Sequence, residues 1–72
     1  MAGEKPFFIE GRITEVSKSA STAYVKVVNG NVYHLTPYTP GIDFDSLERG
    51  QIVRLEVTLL LTRVLSAEVL DQ

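Results

Sequence analysis

The fold of this chain is decided by the stretch Ala23-Tyr24-Val25-Lys26-Val27-Val28-Asn29-Gly30-Asn31-Val32-Tyr33-His34-Leu35. Two runs of β-branched and aromatic residues flank an Asn-Gly pair, which is the strongest short-range signal for a β-hairpin. Asn and Gly tolerate the positive φ that a tight turn between right-twisted strands requires. In the first arm, valines alternate with Tyr24 and Lys26, which predicts one apolar face and one aromatic, basic face.

The second arm of the hairpin has two possible registers. A two-residue turn pairs Val27 with Val32 and turns Val32 and His34 inward. A turn with a glycine bulge shifts the arm by one residue and turns Tyr33 and Leu35 inward instead. We favour the second register because it buries the larger apolar pair and leaves His34 in water, whereas a buried histidine needs a partner.

Composition describes one small globular domain. The 72 residues are 44% hydrophobic and include no cysteine, so we expect no disulfide and no thiolate metal site. A single histidine without cysteines or clustered carboxylates is a poor metal site, and we expect no metal and no cofactor. We expect residues 1–6 to be a flexible lead-in and residues 7–72 to form a single domain. No leader opens the chain and no apolar run is long enough to span a bilayer, so we expect a cytoplasmic protein without membrane partners.

Upstream of the hairpin, Phe7–Val16 predicts a bent first strand. Val16 follows Ile13 by three residues, which breaks the alternation and indicates a β-bulge near Thr14–Glu15. Gly11, in the interior of this strand, is typical of a bend or of a close approach between two backbones. The strand is therefore expected to curve.

Downstream of the hairpin, one short helical turn and two strands are predicted. The turn is expected within Asp43–Gly50, where Asp45 and Glu48 have the spacing of a capping box and a glycine ends the segment. Asp43, Asp45 and Glu48 are also compatible with a divalent cation site, but we favour a helix cap and its favourable dipole as their role. Strands are expected at Gln51–Leu59 and Arg63–Leu70. Alternation in the fourth strand places Thr58 on the outside.

This order of elements predicts the fold class. Five strands with one short helical turn between the third and the fourth are the element order of an OB-fold barrel. A bent first strand and an apolar plug from the turn agree with closure of the sheet, which removes exposed edges. An SH3-like barrel is the nearest alternative, but its short 3₁₀ turn lies before the last strand. We therefore expect an all-β, five-stranded, OB-like barrel.

Three segments carry a resemblance to a known family. They are Glu10-Gly11-Arg12-Ile13-Thr14-Glu15-Val16, Val27-Val28-Asn29-Gly30 and Leu47-Glu48-Arg49-Gly50-Gln51-Ile52-Val53. The chain resembles small S1-type OB-fold proteins, among which bacterial translation initiation factor one is the nearest in length and layout. That factor carries a basic, histidine-containing segment after its third strand, where this chain has His34–Gly41. The resemblance implies an OB fold and a role in binding RNA.

Charge patterning points to a binding surface around the hairpin. No acidic residue occurs between Val16 and Ile42, although the chain has a net charge of −2. That net charge argues against strong, sequence-blind binding to duplex DNA, which requires several cations against phosphates. OB folds hold single strands against the outer face of strands two and three. The expected nucleic-acid-binding residues are Arg12, Lys18, Tyr24, Lys26, His34 and Arg63.

Within that set, Tyr24 is expected to stack on a base, the cations to meet phosphates, and His34 to contribute a hydrogen bond. The alternative is that Tyr24 and Lys26 have no binding role and are ordinary exposed strand residues that favour β structure and solubility. The sequence therefore predicts a non-catalytic module that binds single strands, RNA ahead of DNA. We expect no enzyme, because no nucleophile, base and orienting group can be assembled from these residues.

An alternative function is a protein-interaction or homo-oligomeric assembly module. Its partner-binding residues would be Leu60 and Leu61, in the turn before the fifth strand, and Tyr38, between two prolines. An exposed apolar patch usually marks an interface. Two interpretations stay open for Tyr38, which either is exposed for a partner or folds over the end of the barrel, and the two leucines have the same alternatives.

Overall fold

The computed structural model describes residues 5–58 and 64–70 of the chain. They form one five-stranded sheet in the order β3-β2-β1-β4-β5, and every pair of neighbouring strands is antiparallel. The elements are β1 (Phe7–Ser17), β2 (Thr22–Val27), β3 (Val32–Leu35), a 3₁₀ turn (Phe44–Ser46), β4 (Ile52–Val57) and β5 (Ser66–Val69). The predicted all-β class and the predicted element order are confirmed.

The sheet is not closed into a barrel by strand pairing. Its order leaves β3 and β5 as the two edges, and no ladder joins them within residues 5–58 and 64–70. The segment after β3 nevertheless reaches β5, where the N–H of Ala67 donates to the carbonyl of Pro40 at 3.0 Å. Gly41 follows at φ +94°, and a Cβ there would collide with the carbonyl oxygen of Ala67. The arrangement is compatible with an OB-like fold, and closure stays a prediction.

Strand β1 is shared between the two halves of the sheet. Its first half, from Phe7 to Arg12, pairs with β4, and the part from Gly11 to Ser17 pairs with β2. The β1–β2 register shifts between Ile13 and Glu15, so that Thr14 is the extra residue of a bulge. The predicted bulge is confirmed, and because of it the alternation resumes with Glu15 facing outward and Val16 packing against the core.

The hairpin adopts the shifted register. Val25 pairs with Tyr33, and Ala23 pairs with Leu35. The N–H of Gly30 donates to the carbonyl of Val27 at 2.9 Å, and Gly30 has a φ of +94°. This is the geometry of a three-residue loop that ends in a glycine bulge. Leu35 is fully buried and His34 is exposed, so the register that we favoured is confirmed.

The core lies on one face of this sheet and is covered by the segment around the 3₁₀ turn. Phe44 and Leu47 are buried, and Ile42 packs against them. The cap of the turn differs from the prediction, because Asp43 occupies it. Its carboxylate accepts hydrogen bonds from the N–H of Asp45 at 3.3 Å and from the hydroxyl of Ser46 at 2.9 Å. The proposed capping pair of Asp45 with a later glutamate was therefore wrong.

The fourth and fifth strands are shorter than predicted. β4 ends at Val57, and its three inward residues, Val53, Leu55 and Val57, are fully buried as expected. Thr58 was predicted to face outward but is only 5% exposed. It follows the end of the strand, where the two-residue alternation no longer determines the direction of a side chain. The predicted ends at Leu59 and Arg63 lie outside the described residues.

Gly11→Ala tests the close contact between β1 and β2. An added Cβ would lie 2.7 Å from a methyl group of Val25 and 2.8 Å from the backbone oxygen of Lys26. Because a strand backbone cannot yield as a flexible side chain can, we expect a loss of about 1–3 kcal/mol in the free energy of unfolding. Urea denaturation measures it. Glu10→Ala, an outward change on the adjacent residue, should cost less than about 0.5 kcal/mol. Equal losses in the two variants would contradict the packing described.

Candidate functional site

Two cations lie opposite each other on the outer face of the sheet. Arg12 and Lys26, which we call the basic pair, are cross-strand partners in the β1–β2 register, and both are exposed. Nη1 of Arg12 donates to the carbonyl of Gly50 at 2.9 Å. Among the described residues, no carboxylate forms an ion pair with either cation. Like charges directly opposite each other destabilise a sheet, so, apart from the hydrogen bond of Arg12 to Gly50, the basic pair brings the sheet no favourable charge interaction.

A shallow depression of about 450 Å³ surrounds the basic pair. Residues of β1, the hairpin and β4 complete its lining: Glu10, Gly11, Thr14, Val27, Val28, Gly30 and Ile52. At Gly30, which is exposed, nothing lies within 4 Å of where a Cβ would be, so the depression is open on the side of the hairpin turn. The negative charge of Glu10 is directed to Arg54, whose Nη2 lies 3.8 Å from a carboxylate oxygen of Glu10. The depression therefore presents two cations to solvent.

Beside the basic pair, two rings form an aromatic pair. Tyr24 and His34 are cross-strand partners in the β2–β3 register. Their ring centroids are 4.9 Å apart and the ring planes make an angle of 88°, which is the favourable edge-to-face geometry. Tyr24 is half-buried and His34 is exposed. The contact fixes the orientation of the Tyr24 ring on the same strand and the same face as Lys26.

Glu15 is the neighbour of Tyr24 that the sequence did not reveal. The two residues are partners in the β1–β2 register, and Glu15 is exposed. In the sequence, Glu15 precedes the acid-free stretch by one residue, and only the bulge at Thr14 brings it opposite Tyr24. The position of Glu15 opposite Tyr24 depends on the bulge and the strand order together. Glu15 places one negative charge at the border of the aromatic pair.

Charge is segregated across the outer face. Strands β2 and β3 contain no acidic residue. On the other side of β1, Arg54 lies between Glu10 and Glu68, each at 3.8 Å, and the hydroxyl of Ser66 donates to Glu56 at 2.9 Å. Exposed ion pairs of this kind contribute about 0–1 kcal/mol to stability. Their main consequence here is that the β4–β5 side is acidic and the β2–β3 side is basic.

Lys18 makes its contacts elsewhere. Its Nζ donates to the carbonyl of Asp45 at 2.9 Å and lies 5.6 Å from the centroid of the Phe44 ring. A cation within about 6 Å of a ring face is attracted to it. Lys18 thus ties the β1–β2 loop to the 3₁₀ turn, and it does not line the depression around the basic pair. Arg63, another predicted phosphate contact, lies outside the described residues.

Of the predicted partner-binding residues, only Tyr38 is described. It is 92% exposed, so of its two interpretations the structure shows the exposed one. Leu60 and Leu61 lie outside the described residues, and a role in assembly stays a prediction. Within residues 5–58 and 64–70, no helix has the length and apolar character needed to cross a membrane. In the same ranges, no three His, Asp or Glu side chains are grouped so that they could hold a metal ion.

Comparisons with models of known families, with curated proteins and with solved structures found no match for this chain. The fold and the site define a class, which is a small five-stranded antiparallel β domain compatible with an OB-like fold. On the outer face of this domain, the described part of the chain places the basic pair beside the aromatic pair.

Lys26→Glu tests whether the basic pair lowers the free energy of unfolding. The change places opposite charges across β1 and β2 where like charges now stand. We expect the free energy of unfolding to rise by about 0.5–1 kcal/mol, because opposite-charge pairs stabilise a sheet and like-charge pairs destabilise it. Urea denaturation at low salt measures the change. Lys5→Glu makes the same change in net charge at an exposed position outside the strands. A Lys26→Glu protein no more stable than this control would contradict the interpretation.

Proposed function

We propose that this protein binds single-stranded nucleic acid, RNA ahead of DNA, on the outer face of β2 and β3, without catalysing a reaction. One observation carries the proposal. Arg12 and Lys26 stand opposite each other with no carboxylate paired to them among the described residues. The arrangement is unfavourable for the isolated sheet and becomes favourable when a polyanion lies across both cations.

In this proposal, the basic pair contacts phosphates and the aromatic pair contacts a base. Lys26 supplies a point charge, and Arg12 keeps donors free beyond the one that Gly50 accepts. Tyr24 offers its ring to a base, while the edge contact with His34 holds that ring in place. Tyr24 and Lys26 are two residues apart on one face of β2, a distance of about 7 Å. A base-binding and a phosphate-binding group therefore lie side by side along the strand.

The segregated charge favours one path for the ligand. The acidic β4–β5 side, with Glu56 and Glu68, repels a phosphate backbone, and the β2–β3 side does not. Glu15 beside Tyr24 lowers the affinity for a polyanion. With two cations and one stacking ring, we expect modest affinity rather than tight binding.

The fold and the family resemblance support the same function. OB folds bind oligonucleotides on the face of strands two and three, which is where Lys26 and the aromatic pair lie in this sheet, with Arg12 beside them on β1. We infer that β3 and β5 belong to an OB-like barrel, and the hydrogen bond between Pro40 and Ala67 supports this inference. The resemblance of the sequence to small S1-type OB-fold proteins is the reason for placing RNA ahead of DNA.

Fluorescence anisotropy with labelled oligo-U and oligo-dT of about 12 nucleotides tests the proposal. We expect Tyr24→Ala to weaken binding roughly 5- to 160-fold, because stacking contributes about 1–3 kcal/mol per base. Tyr24→Phe keeps the ring and should bind like the wild type. Phe8→Ala removes an exposed aromatic from the same face of the sheet, at the position opposite Glu56, and should have no effect. No binding by the wild type at low salt would refute the function.

The salt dependence of the same assay separates phosphate contacts from general charge. Lys26→Ala should reduce the slope of log K against log salt by about 0.7, the value for one lost phosphate contact on a single strand. Lys18→Ala removes the same charge from a residue that contacts Asp45 and Phe44, and it should change the slope less. Identical slopes for the two variants would mean that the basic pair has no special role.

A further inference from the structure

Tyr38 is presented to solvent by a rigid turn. The N–H of Thr39 donates to the carbonyl of Thr36 at 3.0 Å, and the N–H of Tyr38 donates to the Thr36 hydroxyl at 3.1 Å. The N–H of Thr36 donates in return to the hydroxyl of Thr39 at 3.0 Å. Pro37 fixes a further backbone angle in this turn. These constraints determine where the tyrosine stands, although its side chain adds nothing to the core.

The turn forms one wall of a groove between the two edges of the sheet. The groove has a volume of about 630 Å³ and runs between β3 and the residues that precede β5. Its lining includes His34, Tyr38, Pro40 and Leu65, and the lining residues within the described ranges include no carboxylate. A volume of this size lies in the range of ligand-binding clefts.

His34 connects this groove to the site described above. One contact of His34 is the edge-to-face pair with Tyr24, and the same residue lines the groove together with Tyr38. The surface is therefore continuous from Tyr24, across the edge of β3, to Tyr38. A ligand that leaves the outer face of β2 and β3 at His34 enters the groove directly.

We propose that the groove holds a second unpaired base of the bound strand, stacked on Tyr38, so that the strand crosses the edge of β3. This inference rests on the proposed function. A nucleic acid, rather than a protein, is favoured as the occupant because the described lining lacks acidic side chains and is continuous with the basic side of the sheet. The turn adds preorganisation, since the backbone that carries Tyr38 is already ordered by hydrogen bonds before a base binds.

Photo-cross-linking with an oligo-U of about 10 nucleotides that carries 5-iodouracil tests this inference. A stacked tyrosine cross-links at very short range, and mass spectrometry identifies the modified peptides. We expect cross-links at both Tyr24 and Tyr38. Cross-links at Tyr24 alone would overturn the second base site and leave the proposed function standing. A wild-type protein that cross-links at neither residue and binds no oligonucleotide would overturn both.

Affinity measurements on variants provide a second readout. Tyr38→Ala should weaken binding of the same oligonucleotide roughly 5- to 160-fold, and Tyr38→Phe should bind like the wild type. Because Tyr38 is 92% exposed, these changes leave the core intact. An unchanged affinity for Tyr38→Ala would overturn the inference. A concentration-dependent dimer of the wild type in light scattering that Tyr38→Ala dissociates would overturn it in favour of a protein interface.

Discussion

The structure depends on the double pairing of β1. Gly11 and Arg12 are paired on both sides, with β2 and with β4, and Ile13 continues this overlap through hydrogen bonds with Gly50 and Gln51. Gly11 permits this because its missing side chain lets β2 approach to distances that a Cβ would not allow. On the opposite face, the same crossing holds Arg12 beside Lys26. The close contact that joins the two halves of the sheet therefore also creates the basic pair.

The outer face of the sheet has one side with ion pairs and one side whose cations form no ion pair with a described residue. The ion pairs of Arg54 with Glu10 and Glu68 lie on the side where opposite charges face each other. The basic pair and the aromatic pair lie on the side where they do not. A fold selected only for stability would place a carboxylate opposite Lys26, since an opposite-charge pair is favourable in a sheet. In the function we propose, a ligand supplies the negative charges that this pair lacks in the sheet.

Local sequence rules predicted the parts of this fold that depend on neighbouring residues. Alternation and side-chain size fixed the hairpin register around Tyr33 and Leu35, and a broken alternation located the bulge. Tertiary contacts decided the rest. Lys18 lies over the ring of Phe44, and Asp43 caps the 3₁₀ turn. Glu15 faces Tyr24 because of the strand order and the bulge together. None of these three contacts follows from spacing along the chain.

The most direct test of the central claim is an NMR titration of the ¹⁵N-labelled protein with an unlabelled oligo-U of about six nucleotides. The account predicts that the largest amide shift changes fall at Arg12, Tyr24, Lys26 and His34, where the basic and aromatic pairs lie. The amide chemical shifts of Arg54 and Glu68, on the acidic side, should not change. An absence of shifts at saturating oligonucleotide, or shifts centred on β4 and β5, would contradict it.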